Sequence, residues 1–356
     1  MISLRELLEE MVAKNASDLH LTAGLPPQFR IDGEIESSNF DVLTADDTRS
    51  LAYSVLNDEQ KKIFENEKEL DLSFGVQGLS RFRANVFLQR GVTTTAIRQI
   101  PYEIMGFEKL GLPKAVRRFA ELPRGLVLVT GPTGSGKSTT LASIIDYINE
   151  HRANHILTIE DPIEYVHAHK KSMVNQRELH TDTDSFPNAL KYVLRQDPDV
   201  ILIGEMRDRE TIAAALTIAE TGHLALATLH TNSTYESINR IVDVFPENQQ
   251  GQIRAQLAFV LEGVITQQLI PRHRTNGRAL CAEVMVCTPA IKALIRDSKI
   301  HQIYGIMQAG QKYGMQTMNQ SLYQAYTNRL ISYDDALNRS ADQDELLKMI
   351  GDTVQV

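Results

Sequence analysis

The stretch VTGPTGSGKSTTLASII, Val129 to Ile145, decides how the rest of the chain is read. Gly131 to Ser138 satisfies G-x-x-x-x-G-K-[ST] at every fixed position, the pattern of a phosphate-binding loop. The flanks agree with it. An apolar strand, Leu126 to Val129, feeds the loop, and Ser138 opens a helix with Leu141, Ile144, Ile145 and Ile148 at i, i+3, i+4 and i+7. Glycines let such a backbone curl until its N–H groups face phosphate oxygens, reinforced by the positive end of the helix. Lys137 is expected to reach the β- and γ-phosphates of a nucleoside triphosphate, and the Ser138 hydroxyl to ligate Mg²⁺. The candidate nucleotide site is Gly131, Pro132, Thr133, Gly134, Ser135, Gly136, Lys137, Ser138 and Thr139.

From GLVLVTG onward, apolar strands (GLVLVT, HILTIED, DVILIGE, LALATLH) alternate with helical stretches, the signature of a mostly parallel sheet. In an open parallel sheet the carboxyl ends of the strands face the ligand crevice. HILTIEDPIEYV places Glu160, Asp161 and Glu164 at such an end, and Pro162 cannot extend the ladder, so the chain turns there. Acids this close repel one another unless a cation or its hydration shell lies among them; a solvated acidic turn is the alternative reading. DPDVILIGEMRD brings Glu205 to the end of the run Val200 to Ile203. Folds of this kind usually carry an Asp for Mg²⁺ at the position of Gly204, which leaves the metal to Ser138, water and glutamates such as Glu205. Spacing alone leaves Glu164 and Glu205 as equal candidates for the carboxylate that orients or deprotonates the attacking water.

ETGHLALATLHT brackets one strand with His223 and His230. A lone histidine is more often structural than functional, but His230 falls at a carboxyl end, where it could sense the γ-phosphate or bond the acids. His223 is the second candidate for a nucleotide contact. Neither has metal-ligand company, so no zinc site is expected.

Composition narrows the classes. Lys and Arg total 37 against 45 Asp and Glu, a net charge of −8, which argues against direct nucleic-acid binding. Two cysteines, Cys281 and Cys287, cannot build a four-ligand zinc module and do not suggest a secreted disulfide scaffold. MISLRELLEEMVAKNASDLHL reads as an acidic amphipathic helix without the apolar core of a signal peptide, and runs such as IAAALTIA are too short to cross a bilayer. A cytosolic chain without a transmembrane segment is expected.

Residues 1 to about 100 read as a small α/β domain: a helix from Leu4 to Asn15, then short strands around SDLHLTA and PQFRIDGEI. LSRFRANVFLQRGVTTTAIRQIP alternates like a hairpin, with Phe82, Ala84, Val86 and Leu88 on one face and Arg81 and Arg83 on the other. Arg83 and Arg98 lie on its two arms and, taken alone, read as solvated strand faces. Pro101 to Arg124 reads as the inter-domain connection, and helical stretches dominate after about residue 290. The expected division is residues 1–105, a linker over 106–122, a core over 123–290 and a helical region over 291–356.

GPTGSGKSTTLAS, TIEDPIEY, LRQDPDVILIGEMRD and AETGHLALATLHT occur in this order and together resemble the secretion ATPase superfamily: a Walker A loop, an Asp box, an atypical Walker B and a His box. The likeness extends from ASDLHLTAGLPPQFRIDGEI through DLSFGVQGLSRFRANVFLQRG to AIKALIRD, so the whole chain is similar to type IV pilus retraction ATPases. Pilus-extension and type II secretion relatives generally carry a longer N-terminal region and a four-cysteine zinc motif. AIKALIRD, Ala290 to Asp297, is similar to the AIRNLIRE helix of the retraction branch, departing at Lys292, Ala293 and Asp297. Its stripe of Ala290, Ile291, Leu294 and Ile295 is expected to act after hydrolysis.

The resemblance implies a PAS-like N-terminal α/β domain followed by a RecA-like P-loop ATPase domain and a helical C-terminal region. It implies ATP and Mg²⁺ as cofactors, and Lys137, Glu164, Glu205, His230, Arg83 and Arg98 as the catalytic set. It also implies a homohexamer in which each N-terminal domain packs on the neighbour's ATPase domain, so that Arg83 and Arg98 reach bound nucleotide there. Such a ring would sit at the cytoplasmic face of the inner membrane, on an integral membrane platform protein, with the pilus fibre as its indirect load. The function implied is ATP-driven pilus retraction and twitching motility. The alternatives are an accessory nucleotide-binding ring, against which the intact set Lys137, Glu164, Glu205 and His230 argues, or a secretion or DNA-uptake ATPase of the same superfamily.

Overall fold

The computed structural model describes residues 2–31, 33–100 and 103–351. They divide into two compact units, one running to Glu103 and including Glu164–Val166, the other formed by Ile104–Ile163 and the chain from His167 onward. Pro101 and Tyr102, where the expected connection begins, lie outside the described residues.

In the first unit, a capping box of Ser3 and Glu6 opens the helix Leu4–Ala13. Leu4, Leu7, Leu8 and Met11 recur at helical spacing and are all buried. Strands β1 (Asp18–Leu21), β2 (Gln28–Ile31), β3 (Glu34–Ser37), β4 (Glu69–Val76), β5 (Ser80–Gln89) and β6 (Val92–Ile100) form one antiparallel sheet in the order β3-β2-β1-β6-β5-β4. PQFRIDGEI thus holds two strands, β2 and β3, paired from Gln28 to Ser37. The alternation expected in β5 holds at Phe82, Ala84 and Val86, all fully buried, whereas Leu88, near the turn into β6, is 36% exposed.

The second unit carries β7 (Gly125–Thr130), β8 (His155–Glu160), β9 (Met173–Glu178), β10 (Val200–Ile203), β11 (Leu224–Leu229), β12 (Leu261–Pro271) and β13 (Arg278–Val286). Their order is β13-β12-β7-β11-β10-β8-β9, with only the β12–β13 pair antiparallel among the described strands. β7 lies between β12 and β11 and every one of its residues is buried, as a strand covered on both faces must be. Its side chains alternate between two cores. Leu126 and Leu128 join one, and Val127 and Val129 join the other, where Leu141, Ile144, Ile145 and Ile148 of the helix Lys137–His151 also pack. Fully burying each such aliphatic side chain is worth about 1.5–3 kcal/mol relative to leaving it exposed. No helix among the described residues is long and apolar enough to cross a membrane.

The helix Pro289–Arg296 turns most of its expected stripe inward. Ile291 and Ile295 are fully buried in the core of their own unit and Leu294 is packed against it, while Ala290 is exposed. The apolar stripe of AIKALIRD is therefore in large part a packing face of its own unit. The helix is also anchored by Lys292, whose Nζ lies 2.7 Å from Glu262 Oε1. Farther on, Leu322 of the helix Met318–Thr327 and Leu346 of Gln343–Gly351 form a satellite core against Ile270 of β12 and Cys281 of β13.

The pairing of β12 with β7 contains a register shift between Leu261 and Gly263. The ring of Phe119 lies so close to Gly263 that a Cβ there would meet its atoms at 2.2 Å and 2.3 Å. Gly263→Ala should therefore lower stability by about 1–3 kcal/mol, the usual cost of overpacking, read from the urea midpoint. An unchanged midpoint would show that the ring has room to move.

Candidate functional site

The phosphate loop is shaped by the strand beside it. Gly131 has φ 135°, and a Cβ there would lie 2.4 Å from the backbone carbonyl oxygen of Gln267 on β12, so only glycine fits. Two side-chain bonds fasten the same strand to the loop's flanks: the hydroxyls of Thr130 and Thr266 are 2.7 Å apart, and Gln267 Nε2 donates to Thr140 Oγ1 at 2.8 Å. Lys137 Nζ donates to the carbonyls of Gly131 at 2.8 Å and Pro132 at 3.1 Å. Burial pushes its pKa down, and the Glu205 carboxylate opposes that shift. Ser138 and Thr139 stand in the first turn of the helix Lys137–His151. A residue that sequence reasoning missed reaches the loop as well: Arg278, the first of β13, donates from Nη1 to Gly134 O at 3.4 Å.

The carboxyl ends of β10 and β11 complete the cluster. Glu205 Oε1 lies 2.6 Å from Arg207 Nε and 3.1 Å from His230 Nε2. Partial burial raises the Glu205 pKa, but the Arg207 hydrogen bond and the His230 ring outweigh it, holding the carboxyl below its usual value. His230 Nδ1 is 3.5 Å from Lys137 Nζ, so this imidazole bridges the phosphate-loop lysine and Glu205. Lys137, Glu205 and His230 are thus brought together. Gly204 has its own steric reason: a Cβ would lie 3.1 Å from both Glu160 Cα and the Ile159 carbonyl oxygen, leaving little room for the Asp usual in such folds.

Glu160, the last residue of β8, accepts from Thr158 Oγ1 at 2.6 Å and Gln176 Nε2 at 3.2 Å, while Asp161 is exposed. Glu164 groups with the first unit. Its carboxyl keeps exposed surface but is crowded enough that lost hydration raises its pKa, which Arg83 and Arg98 pull back in part. Those two arginines are direct cross-strand partners on β5 and β6. Arg98 Nε donates to Asp18 Oδ1 at 2.8 Å, and Arg83 Nη2 lies 3.8 Å from Asp71 Oδ1.

His223 is not brought to the phosphate loop. It precedes β11, at the opposite end of the sheet, where its carbonyl accepts from Gly125 N and its ring lies 3.1 Å from the Thr221 hydroxyl. A strand of six residues spans about 20 Å, which speaks against the contact expected for it there. Among the described residues no group of three or more His, Cys, Asp or Glu could hold a metal ion. The donors present still fit Mg²⁺, which keeps several waters and needs few protein ligands besides phosphate oxygens: a hydroxyl at Ser138 and the second oxygen of Glu205.

With a phosphate loop between β7 and its helix, and an acid and an imidazole gathered on the neighbouring strands, the second unit is a RecA-like P-loop ATPase domain. The chain belongs to the family described as Type II/IV secretion system protein, whose model matches residues 1–338. It is 48% identical over 339 residues to the type IV pilus retraction ATPase PilT of Pseudomonas aeruginosa, covering 95% of this chain and 98% of that one. It is 46% identical to a twitching motility protein of Neisseria gonorrhoeae, covering 97% of this chain and 92% of the relative. The crystal structure of the pilus retraction motor PilT with bound ADP superposes with a TM-score of 0.92 at 52% identity, covering 98% of this chain and 100% of the other.

His167, shortly after the Asp box, yields a pH dependence. Its Nδ1 is buried with no hydrogen-bond partner among the described residues. Burial drives its pKa from 6.5 down to about 4, with Lys170 adding to the shift and Asp146 opposing it. The unfolded chain takes up this proton near pH 6.5 and the folded chain only near 4, so stability should fall as pH drops between the two. The loss attributable to this residue should reach up to about 3 kcal/mol. Urea midpoints at pH 7.5, 5.5 and 4.5 should decline less in His167→Gln. Parallel declines would assign the effect to other groups.

Proposed function

We propose that this chain is a homohexameric, Mg²⁺-dependent ATPase that powers type IV pilus retraction. The observation that carries the reading is its near-full-length likeness to the Pseudomonas aeruginosa retraction ATPase, covering 98% of that protein. The contact of Lys137, His230 and Glu205 beside the phosphate loop supports the hydrolytic half.

In this reading Lys137 exchanges the carbonyls of Gly131 and Pro132 for β- and γ-phosphate oxygens. Ser138 and Glu205 would hold Mg²⁺, directly or through water, and the ion would supply charge neutralisation at the phosphates. Glu205 suits that part because its neighbours keep it ionised. Glu164, with its raised pKa, suits proton acceptance from the attacking water, since a general base works best when its pKa approaches the operating pH. His230 registers the state of the phosphate end through its two nitrogens. Arg83 and Arg98 bring positive charge to the nucleotide at the junction of neighbouring subunits, as arginines do for developing phosphate charge. The ring docks on an integral membrane platform protein at the cytoplasmic face of the inner membrane.

Lys137→Ala should abolish ATP hydrolysis with an unchanged melting curve. Glu164→Gln should slow hydrolysis by at least ~10²-fold while ATP still binds. Near-normal phosphate release by either folded variant would remove that residue from the chemistry. Deletion of the gene tests the role in the cell, where surface-attached bacteria should become hyperpiliated and stop twitching. Normal twitching with impaired secretion or DNA uptake would move the protein to another branch of the family.

A further inference from the structure

Glu283 lies on β13, opposite Thr266 of β12, and is only 3% exposed. Its Oε1 accepts both the backbone N–H of Thr234, at 2.7 Å, and the Thr234 hydroxyl, at 2.8 Å. Its Oε2 accepts the backbone N–H of Met318 at 3.3 Å. Thr234 and Met318 are the first residues of the helices Thr234–Asp243 and Met318–Thr327, so one carboxylate satisfies donors at two helix starts. Burial raises the Glu283 pKa, and these hydrogen bonds oppose the rise.

Thr234 stands four residues after His230. The intervening span is itself tied to the helix: Thr231 Oγ1 is 2.7 Å from Ser237 Oγ, and Ser233 caps the helix by accepting from Glu236 N. A displacement of Thr234 is therefore passed along a short, bonded segment to the imidazole between Lys137 and Glu205.

We propose that Glu283 is a positioning residue for ATP hydrolysis: its grip on Thr234 fixes the loop that carries His230, and its grip on Met318 makes that position depend on the C-terminal helices. Glutamine is the informative replacement. Its carbonyl can still accept from Thr234, but its amide then turns N–H groups toward the Met318 N–H, and the tie between the two helices is lost. The inference rests on the part proposed above for His230, and the test separates the two.

The experiment is a double-mutant cycle on the full chain, measuring kcat and KM for ATP in wild type, E283Q, H230A and the double variant. E283Q should lower kcat on the order of tenfold with KM within about twofold, below the ~10²-fold that a 1 Å misplacement can cost. In the H230A background, adding E283Q should produce no further fall. Equal falls in both backgrounds, a normal kcat in E283Q, or a raised KM with kcat retained would overturn the proposal. Normal turnover in H230A alone would instead remove the part of His230, and this proposal with it. Should E283Q fail to fold by its melting curve, Thr234→Val, which keeps the backbone bond and deletes only the hydroxyl, is read by the same cycle and the same criteria.

Discussion

The approach of the Gly131 backbone to the Gln267 carbonyl is the constraint on which the ATPase unit depends. It permits no Cβ at position 131, and it ties the shape of the phosphate loop to a strand more than a hundred residues later in the chain. The pairing of Thr130 with Thr266 and the reach of Gln267 to Thr140 hold strand, loop and helix as one body. Backbone N–H groups can cradle phosphate only if they are already aimed when it arrives, and this frame does the aiming.

Charge is distributed inside that frame with little slack. Lys137 loses hydration and gains the field of Glu205. Glu205 in turn is shared by Arg207 and His230 through one oxygen, which leaves its other oxygen for a different partner. The imidazole therefore stands between a cation and an anion, where small changes in either alter its hydrogen bonds. Glu164 and Glu205 are pushed in opposite directions by their surroundings, the first raised by lost hydration and the second lowered by Arg207 and His230.

Much of this was legible in the residues, because a phosphate loop prescribes its own surroundings: a buried strand before it, a helix after it, and acids at the ends of adjacent strands. Four things were not. β9, with Val174 and Glu178 its only buried residues, is a polar edge strand and has no alternation to read. His230, at the carboxyl end of its strand, was placed correctly, but His223 was expected at the nucleotide although it precedes β11, the end of a parallel strand that faces away from ligand. The stripe of AIKALIRD would look the same whether it met a partner or its own core, since periodicity reports that a face is apolar and not what covers it. Glu283 and Arg278 gave no signal at all, being single charged residues whose partners, Thr234, Met318 and Gly134, come from distant segments.

Gly204 has a consequence for how such an enzyme can change over generations. Aspartate is a single base substitution away from glycine when the codon ends in a pyrimidine, so replication errors would offer the commoner metal-binding residue freely. The backbone of β8, at Ile159 and Glu160, would lie only 3.1 Å from the first atom of its side chain. Such a change would meet main chain and not the end of a flexible side chain, and a lineage starting from here would have to ease that part of β8 back by a few tenths of an ångström before the residue packed well.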